Sequence, residues 1–444
     1  MRKRSLTCIA LAAFTHAACG LAAEQLSLMA QPAAFEYDDY YRQGDEFLVS
    51  KPLQVQTISN GSHTNFASDT YSEPGRLGPG VCCEEVACGD KCGCSATGAE
   101  GLSLAGLIGA DGTGLDIGGW TEGVYMDNNV PLSQAYNDLL SFDDVPDHFH
   151  NGQTWFYLGH TADGSNGLGL GGRIDVVYGT DAQKTQAFGN PGAGVRGFGT
   201  WDASLDHGEY GWAIPQAYGE IASGDLSVKV GHFFTPIGYE VIPVTGNFFR
   251  SHSYTMFNSE PFTHTGALAT YTGMEALTLY GGWALGWDTG FDQLNSGNIA
   301  IGGFAAELAE DITFTYMNTY GNFGWRDGGD DNSYSHSMVL SMALTDRLQY
   351  IAQSDVIDTS NPGVSEYDTV GLNQYLIYKL NDFVSTGGRM EWWKADGVSF
   401  YEATGGFNFH VLENLIVRPE VRQDWAPGIG LDEDTFLVDA ILTY

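Results

Sequence analysis

The most reactive side chains in the sequence stand close together. VCCEEVACGDKCGCS places Cys82, Cys83, Cys88, Cys92 and Cys94 between positions 82 and 94. Thiolates this dense can hold zinc or copper, yet the spacing lacks two clean C-x2-C pairs. All seven cysteines lie at or before residue 94. In an oxidising compartment one or two local disulfides with an odd thiol left over is the favoured reading, ahead of metal binding and of cross-linking between chains. Three histidines, His232, His252 and His264, share one aromatic block. Nothing in their spacing makes them converge, so hydrogen-bonding loop histidines are expected rather than a metal site. DGGDDN at 327–332 is acidic and glycine-rich but has no bidentate Glu at EF-hand spacing, and reads as an external loop. No GxSxG, HExxH, P-loop or dinucleotide fingerprint stands in a supporting context. Aspartate, serine and histidine occur in no readable arrangement, so no catalytic residue, metal or cofactor is assigned and no enzyme is expected.

The elements that carry these residues begin with MRKRSLTCIALAAFTHAACGLAAE, which has a basic start (Arg2, Lys3, Arg4), an apolar stretch and small residues at Ala22 and Ala23. That is the pattern of a cleaved secretory signal over residues 1–23. Lipidation at Cys19 is the weaker reading, because His16 occupies the place of an aliphatic residue. Without residues 1–23 the chain has 16 basic and 55 acidic residues, a net charge of −39. Such a chain repels nucleic acid and attracts cations. Residues 24–112 are polar and broken by prolines and glycines, and read as a largely irregular leader around the cysteine cluster at 82–94. After the signal no run of about 18 apolar residues occurs, so an ordinary transmembrane helix is not expected.

From residue 113 to 444 the pattern changes to period-two alternation, repeated many times. Phe436, Val438, Ala440, Leu442 and Tyr444 share one face, with Asp439 and Thr443 on the other. Leu168, Leu170, Ile174, Val176 and Tyr178 likewise oppose Arg173 and Asp175. Leu415, Val417 and Val421 oppose Arg418, Glu420 and Arg422; Tyr401, Ala403, Phe407 and Phe409 oppose Glu402, Thr404, Asn408 and His410. A soluble sandwich also alternates. The connections discriminate further, because long ones (near 128–151, 181–211, 234–264, 287–297, 319–333, 357–368, 394–398 and 423–433) take turns with short ones. The reading is a transmembrane antiparallel up-and-down β-barrel of about 16 strands, one rim trimmed and the other elaborated. Aromatics number 23 Tyr, 24 Phe and 10 Trp, and those at strand ends (Trp155, Tyr178, Tyr280, Trp283, Trp392, Trp393) are expected in the interfacial girdles. Pro215 and Pro419 fall inside these strands, which must be bulged or bounded differently there.

The block GHFFTPIGYEVIPVTGNFFRSHSYTMFNSEPFTHTG, residues 231–266, is the longest aromatic-rich connection. Its GHF strand end, TPIGYE turn, NFF element, SHSY segment and PFTHTG return closely resemble the OmpL-like putative β-barrel porin family. Gly118-Gly119-Trp120 and residues 125–129 look like that family's first strand. The resemblance spans roughly residues 113–444 and leaves the cysteine-rich leader outside.

What the resemblance implies is an outer-membrane porin, a passive diffusion channel for small hydrophilic solutes or ions, among outer-membrane lipid, with a homotrimer as a common porin habit. The acidic balance adds an expected bias toward cations. A structural or adhesive barrel without transport, anchored through the leader, is the alternative. Phe233, Phe234, Pro236, Tyr239, Phe248, Phe249 and Tyr254 are expected to fasten a loop in the lumen or on its rim, with membership of the outer girdle as the other reading. Arg250 is the block's only basic residue and the candidate charge at the constriction. Arg173, Lys229, Arg389, Arg418 and Arg422 should point inward with Asp175, Glu220, Glu391, Glu402, Glu420 and Asp439. Such rows either impose a transverse field across the pore or neutralise one another as ladders that stabilise the wall.

Overall fold

The computed structural model describes residues 103–109, 114–128, 142–187, 202, 205–324, 332–359, 368–395 and 397–444. The signal segment, the cysteine cluster and most of DGGDDN lie outside the described residues. The strands are β1 (Asp116–Asn128), β2 (Phe149–His160), β3 (Leu168–Gly179), β4 (Gly211–Ser223), β5 (Leu226–Phe234), β6 (Thr263–Met274), β7 (Leu277–Ala284) and β8 (Asn298–Ala309), followed by β9 (Ile312–Asn322), β10 (Ser333–Thr345), β11 (Leu348–Asp358), β12 (Thr369–Lys379), β13 (Val384–Ala395), β14 (Val398–Leu412), β15 (Leu415–Ala426) and β16 (Leu431–Thr443). Among the described residues three short α-helices accompany them, α1 (Leu104–Ile108), α2 (Ala182–Thr185) and α3 (Tyr254–Asn258), with one 3-10 turn at Val244–Gly246.

Each strand pairs antiparallel with its sequence neighbours, and β1 pairs with both β2 and β16, so the 16 strands close into a barrel without an edge. At the seam the register runs from Trp120 opposite Thr443 to Asn128 opposite Thr435. Gly119 and Tyr444 exchange both backbone hydrogen bonds there at 2.9 Å.

Alternation decides which side chains enter the barrel. On β12, Thr369, Gly371, Asn373, Tyr375 and Ile377 are buried, whereas Leu372, Gln374, Leu376 and Tyr378 between them are exposed. β16 repeats this, with Thr435, Leu437, Asp439 and Ile441 buried and Phe436 and Leu442 exposed. The exposed face is the more apolar one, the inverse of a soluble protein. A closed sheet satisfies every ladder donor and acceptor while that apolar face meets hydrocarbon.

Three local expectations need correction. The connections expected to be long near 394–398 and 423–433 are short: β13 ends at Ala395 and β14 begins at Val398, and β15 ends at Ala426 and β16 begins at Leu431, because these strands run on further than their polar composition suggested. Trp155 and Trp393 are not girdle residues. Both are buried inside, where Trp155 Nε1 donates to Asp175 Oδ2 at 2.8 Å and Trp393 Nε1 to Ser259 Oγ at 2.8 Å. Tyr280 also lies on the inner parity of β7, between the exposed Leu279 and Gly281, and packs against buried apolar side chains. The two prolines are accommodated as their chemistry requires. Pro215 sits where the β3–β4 register shifts, and pairing with β5 begins only at Ala217. Pro419 stays opposite Val438 on β16, but toward β14 the ladder is interrupted between Gly406–Glu420 and Phe409–Val417.

Candidate functional site

Residues 235–262 connect β5 to β6 and touch the wall far from both. Gln153 of β2 donates to Ile242 O at 2.7 Å, Gln353 of β11 donates to the Glu260 carboxylate, and Trp393 of β13 reaches Ser259. Strands so widely spaced around a closed barrel share only its interior, so the loop crosses the lumen. Residues 247–265 are all buried. Local chemistry shapes the loop. Gly238 adopts φ +91°, a conformation that favours glycine. Asn247 Oδ1 accepts from Val241 N at 2.9 Å, and the Ser253 hydroxyl caps α3 by accepting from Met256 N at 3.1 Å.

The wall of β13 to β15 holds the loop by its backbone. Glu420 accepts from Arg250 N at 2.7 Å and Ser251 N at 3.0 Å, and Glu391 accepts from Tyr254 N at 2.6 Å and Thr255 N at 2.7 Å, in the first turn of α3. Arg418 Nη1 donates to Val244 O at 2.9 Å and Asn247 O at 2.7 Å, and Arg422 donates to His252 O. Arg389 bridges Glu240 Oε1 of the loop at 2.6 Å, Ser251 O at 2.6 Å and Glu402 of the wall at 2.9 Å. The loop's own cation, Arg250, reaches Glu122 of β1 at 2.7 Å, Asp181 at 3.0 Å and Asp143 at 3.7 Å. Hydrogen bonds with a charged partner contribute about 1.5–3 kcal/mol each, which makes this clamp stiff.

Apolar packing completes the fit. Phe234, Ile242, Met256, Phe257 and Phe262 pack with Trp120, Phe142 and Trp155. Phe233 and Ile237 pack against Trp287 and Phe323, and Phe248 and Phe249 against Val339, Ile351 and Tyr375 with Tyr239 alongside. Tyr254 stacks on Trp393 at 5.7 Å. A Cβ at Gly371 would fall 2.1 Å from Thr255 Oγ1, and one at Gly387 would fall 2.7 Å from the Phe248 ring, so bare wall positions admit the loop.

Residues 114–443 match the family described as "Putative beta-barrel porin-2, OmpL-like". The chain belongs to this family. Among solved structures, the anion-selective porin from Comamonas acidovorans aligns with a TM-score of 0.52 at 10% identity, covering 74% of this chain and 99% of that one. At that identity the likeness concerns the fold alone. The loop-L8 deletion mutant of OmpT, an outer membrane protein of Vibrio cholerae, gives a TM-score of 0.49 at 11% identity, covering 74% and 99%. The outer membrane channel DcaP of Acinetobacter baumannii gives 0.49 at 10% identity, covering 74% and 97%. No curated protein matches the chain.

In this OmpL-like porin the candidate charges meet one another or the loop. Arg250, Arg389, Arg418, Arg422, Asp175, Lys229, Glu391, Glu402, Glu420 and Asp439 are each 7% exposed or less; Arg173 and Glu220 keep partial exposure. Arg418 pairs with Asp439 at 3.0 Å and Arg173 with Asp175 at 2.6 Å, while Lys229 lies over the Tyr218 ring at 4.9 Å. Phe233, Phe234, Phe248, Phe249 and Tyr254 are buried, and Pro236 and Tyr239 partly so. His232 and His264 stand on the paired strands β5 and β6 and only His252 in the loop, and each bonds different partners. His232 bonds Thr265, His252 bonds Asn247 and Val241 O, and His264 bonds Thr235 and Gly286 O. Among the described residues no cluster of His, Cys, Asp and Glu could hold a metal.

Burial governs titration of the loop groups. It pushes the Asp143 carboxyl up to about 8, with Arg250 only partly opposing, and it pushes His252 down to about 3. Burial also works against charge on Arg250, yet Asp181, Glu122 and Asp143 together hold its guanidinium above the usual arginine range. The functional residues not assigned from sequence are Glu122, Asp143, Asp181, Glu240, Glu260 and Asp355. Glu122 was findable, because it shares the inner parity of Trp120 and Val124 on β1. Asp143, Asp181, Glu240 and Glu260 sit in connections, where period-two alternation says nothing.

Proposed function

We propose that the chain is a passive diffusion channel of the outer membrane for small hydrophilic solutes and ions, biased toward cations, performing no catalysis. Export by the cleaved N-terminal signal and assembly as a homotrimer belong to the same reading. The observation that carries it is the loop drawn across the lumen and fixed to the wall, since a fixed constriction inside a closed barrel is what sets passage through it. Cation bias is supported by the imbalance of interior charge. The buried carboxyls Asp175, Asp181, Glu240, Glu402, Glu420, Asp424 and Asp439 outnumber the buried cations Arg250, Arg389, Arg418, Arg422 and Lys229. The anion selectivity named for the Comamonas porin belongs to that protein.

The test is single-channel conductance of the refolded mature protein in a planar bilayer, with the reversal potential taken under a salt gradient. Stepwise openings with a cation-selective reversal potential are expected. Folded, inserted protein that never conducts would overturn the channel reading, and an anion-selective potential would overturn the bias.

A further inference from the structure

At the β11 end of the loop the attachment differs in kind from the arginine clamp. Glu260, three residues before β6 begins, and Asp355 of β11 are both fully buried, and one amide nitrogen, Gln353 Nε2, donates to both carboxyls, to Asp355 Oδ2 at 2.6 Å. Gly238, on the opposite arm of the loop, closes over the Glu260 carboxyl so tightly that a Cβ there would lie 2.1 Å from Oε2. The ionisable groups weighing most on Glu260 are carboxyls from three elements: Asp355, Glu240 in the loop and Glu391 on β13; Ser337 of β10 bonds Asp355. The neighbouring guanidinium, Arg389, is spent on Glu240 and Glu402. Two adjacent carboxylates in a dry site repel strongly, whereas one proton shared between them turns repulsion into a hydrogen bond.

We propose that Glu260 and Asp355 are positioning residues for the lumen loop, joined by a shared proton whose loss frees the loop from β11. The proposal rests on the channel reading for its consequence, which is wider passage in alkaline solution, but the latch itself does not depend on it. Burial, and next Asp355, raise the Glu260 carboxyl well above the usual carboxylate range. Folding therefore binds this proton more tightly than the unfolded chain does. The attachment is complete in acid and weakens as pH rises through the raised value, the proton passing to solvent and leaving a repelling pair.

The experiment measures amide hydrogen exchange of the loop by mass spectrometry in lipid vesicles, from pH 6 to 10 and corrected for intrinsic rates, alongside bilayer conductance. Wild type, Glu260→Gln, Asp355→Asn and Asp143→Asn are compared, the last because Asp143 also titrates near pH 8. In the wild type, loop exchange should accelerate by up to about tenfold per pH unit above the latch midpoint, and conductance should rise with it. Both neutral isosteres at the pair should flatten the profile, and Asp143→Asn should leave it in place. A pH response that survives in Glu260→Gln and Asp355→Asn, or that disappears in Asp143→Asn alone, would overturn the latch. Dependence on added calcium instead of pH would also overturn it, by making a cation the bridge. Absent conductance with a pair-dependent exchange profile would sink the channel reading and leave the latch standing.

Discussion

Two stretches of the same lumen wall obey the same alternation and do opposite work. On β13 to β15 seven of the buried inner positions are charged, Arg389, Glu391, Glu402, Arg418, Glu420, Arg422 and Asp424, and almost all of these bond the loop or each other. On β9 and β10 the buried inner positions are Met317, Thr319, Ser333, Ser335, Ser337, Val339 and Ser341, none charged. The first wall grips backbone amides and carbonyls through ions; the second offers hydroxyls and apolar surface. Parity sets which side chains enter the barrel, while their chemistry sets which wall holds the constriction.

The contrast can be broken most forcefully at Arg389. Arg389→Met leaves Glu240 and Glu402 buried without their guanidinium, and should lower stability by about 3–5 kcal/mol, read from urea unfolding in vesicles, with larger and noisier conductance. An unchanged unfolding midpoint would mean that the charged wall does not hold the loop. Glu420→Gln keeps the shape but turns two charge-assisted amide bonds into neutral ones. A loss of about 2 kcal/mol is expected, together with faster amide exchange at Arg250 and Ser251. The smallest effect belongs to the neutral wall. Ser335 shares one hydroxyl contact with Thr319 at 2.7 Å, so Ser335→Ala should cost about 1 kcal/mol or less and leave conductance unaltered. If Ser335→Ala altered conductance as much as Glu420→Gln, the two walls would be equivalent after all.

The barrel was legible because alternation and turn length repeat along the whole chain, so a local error at 394–398 or at 423–433 leaves the topology intact. Parity also assigned Arg389, Glu391, Arg418, Glu420 and Arg422 to the inner face. It could not tell that they are sheltered from water, because the shelter is supplied by a loop more than a hundred residues earlier. Trp392 and Trp393 show what a stricter use of parity would have given: adjacent strand residues cannot both face lipid, and Trp393 goes inside. The short β13–β14 and β15–β16 connections were missed because β13 to β16 extend past the apolar band with polar residues such as Asp432 and Asp434, which look like loop. Glu260 and Asp355 gave no joint signal, being brought together only by the folded loop.

The distance in sequence between the loop and its clamp carries a consequence for assembly. Arg250 waits for Glu420, and Gly119 waits for Tyr444. A chain whose last strands are not yet in place has neither a sealed wall nor an anchored constriction. Such pairings lie at high contact order and form slowly. The constriction is therefore among the last parts of the molecule to take shape, and a barrel stalled before β15 docks would be leaky rather than blocked.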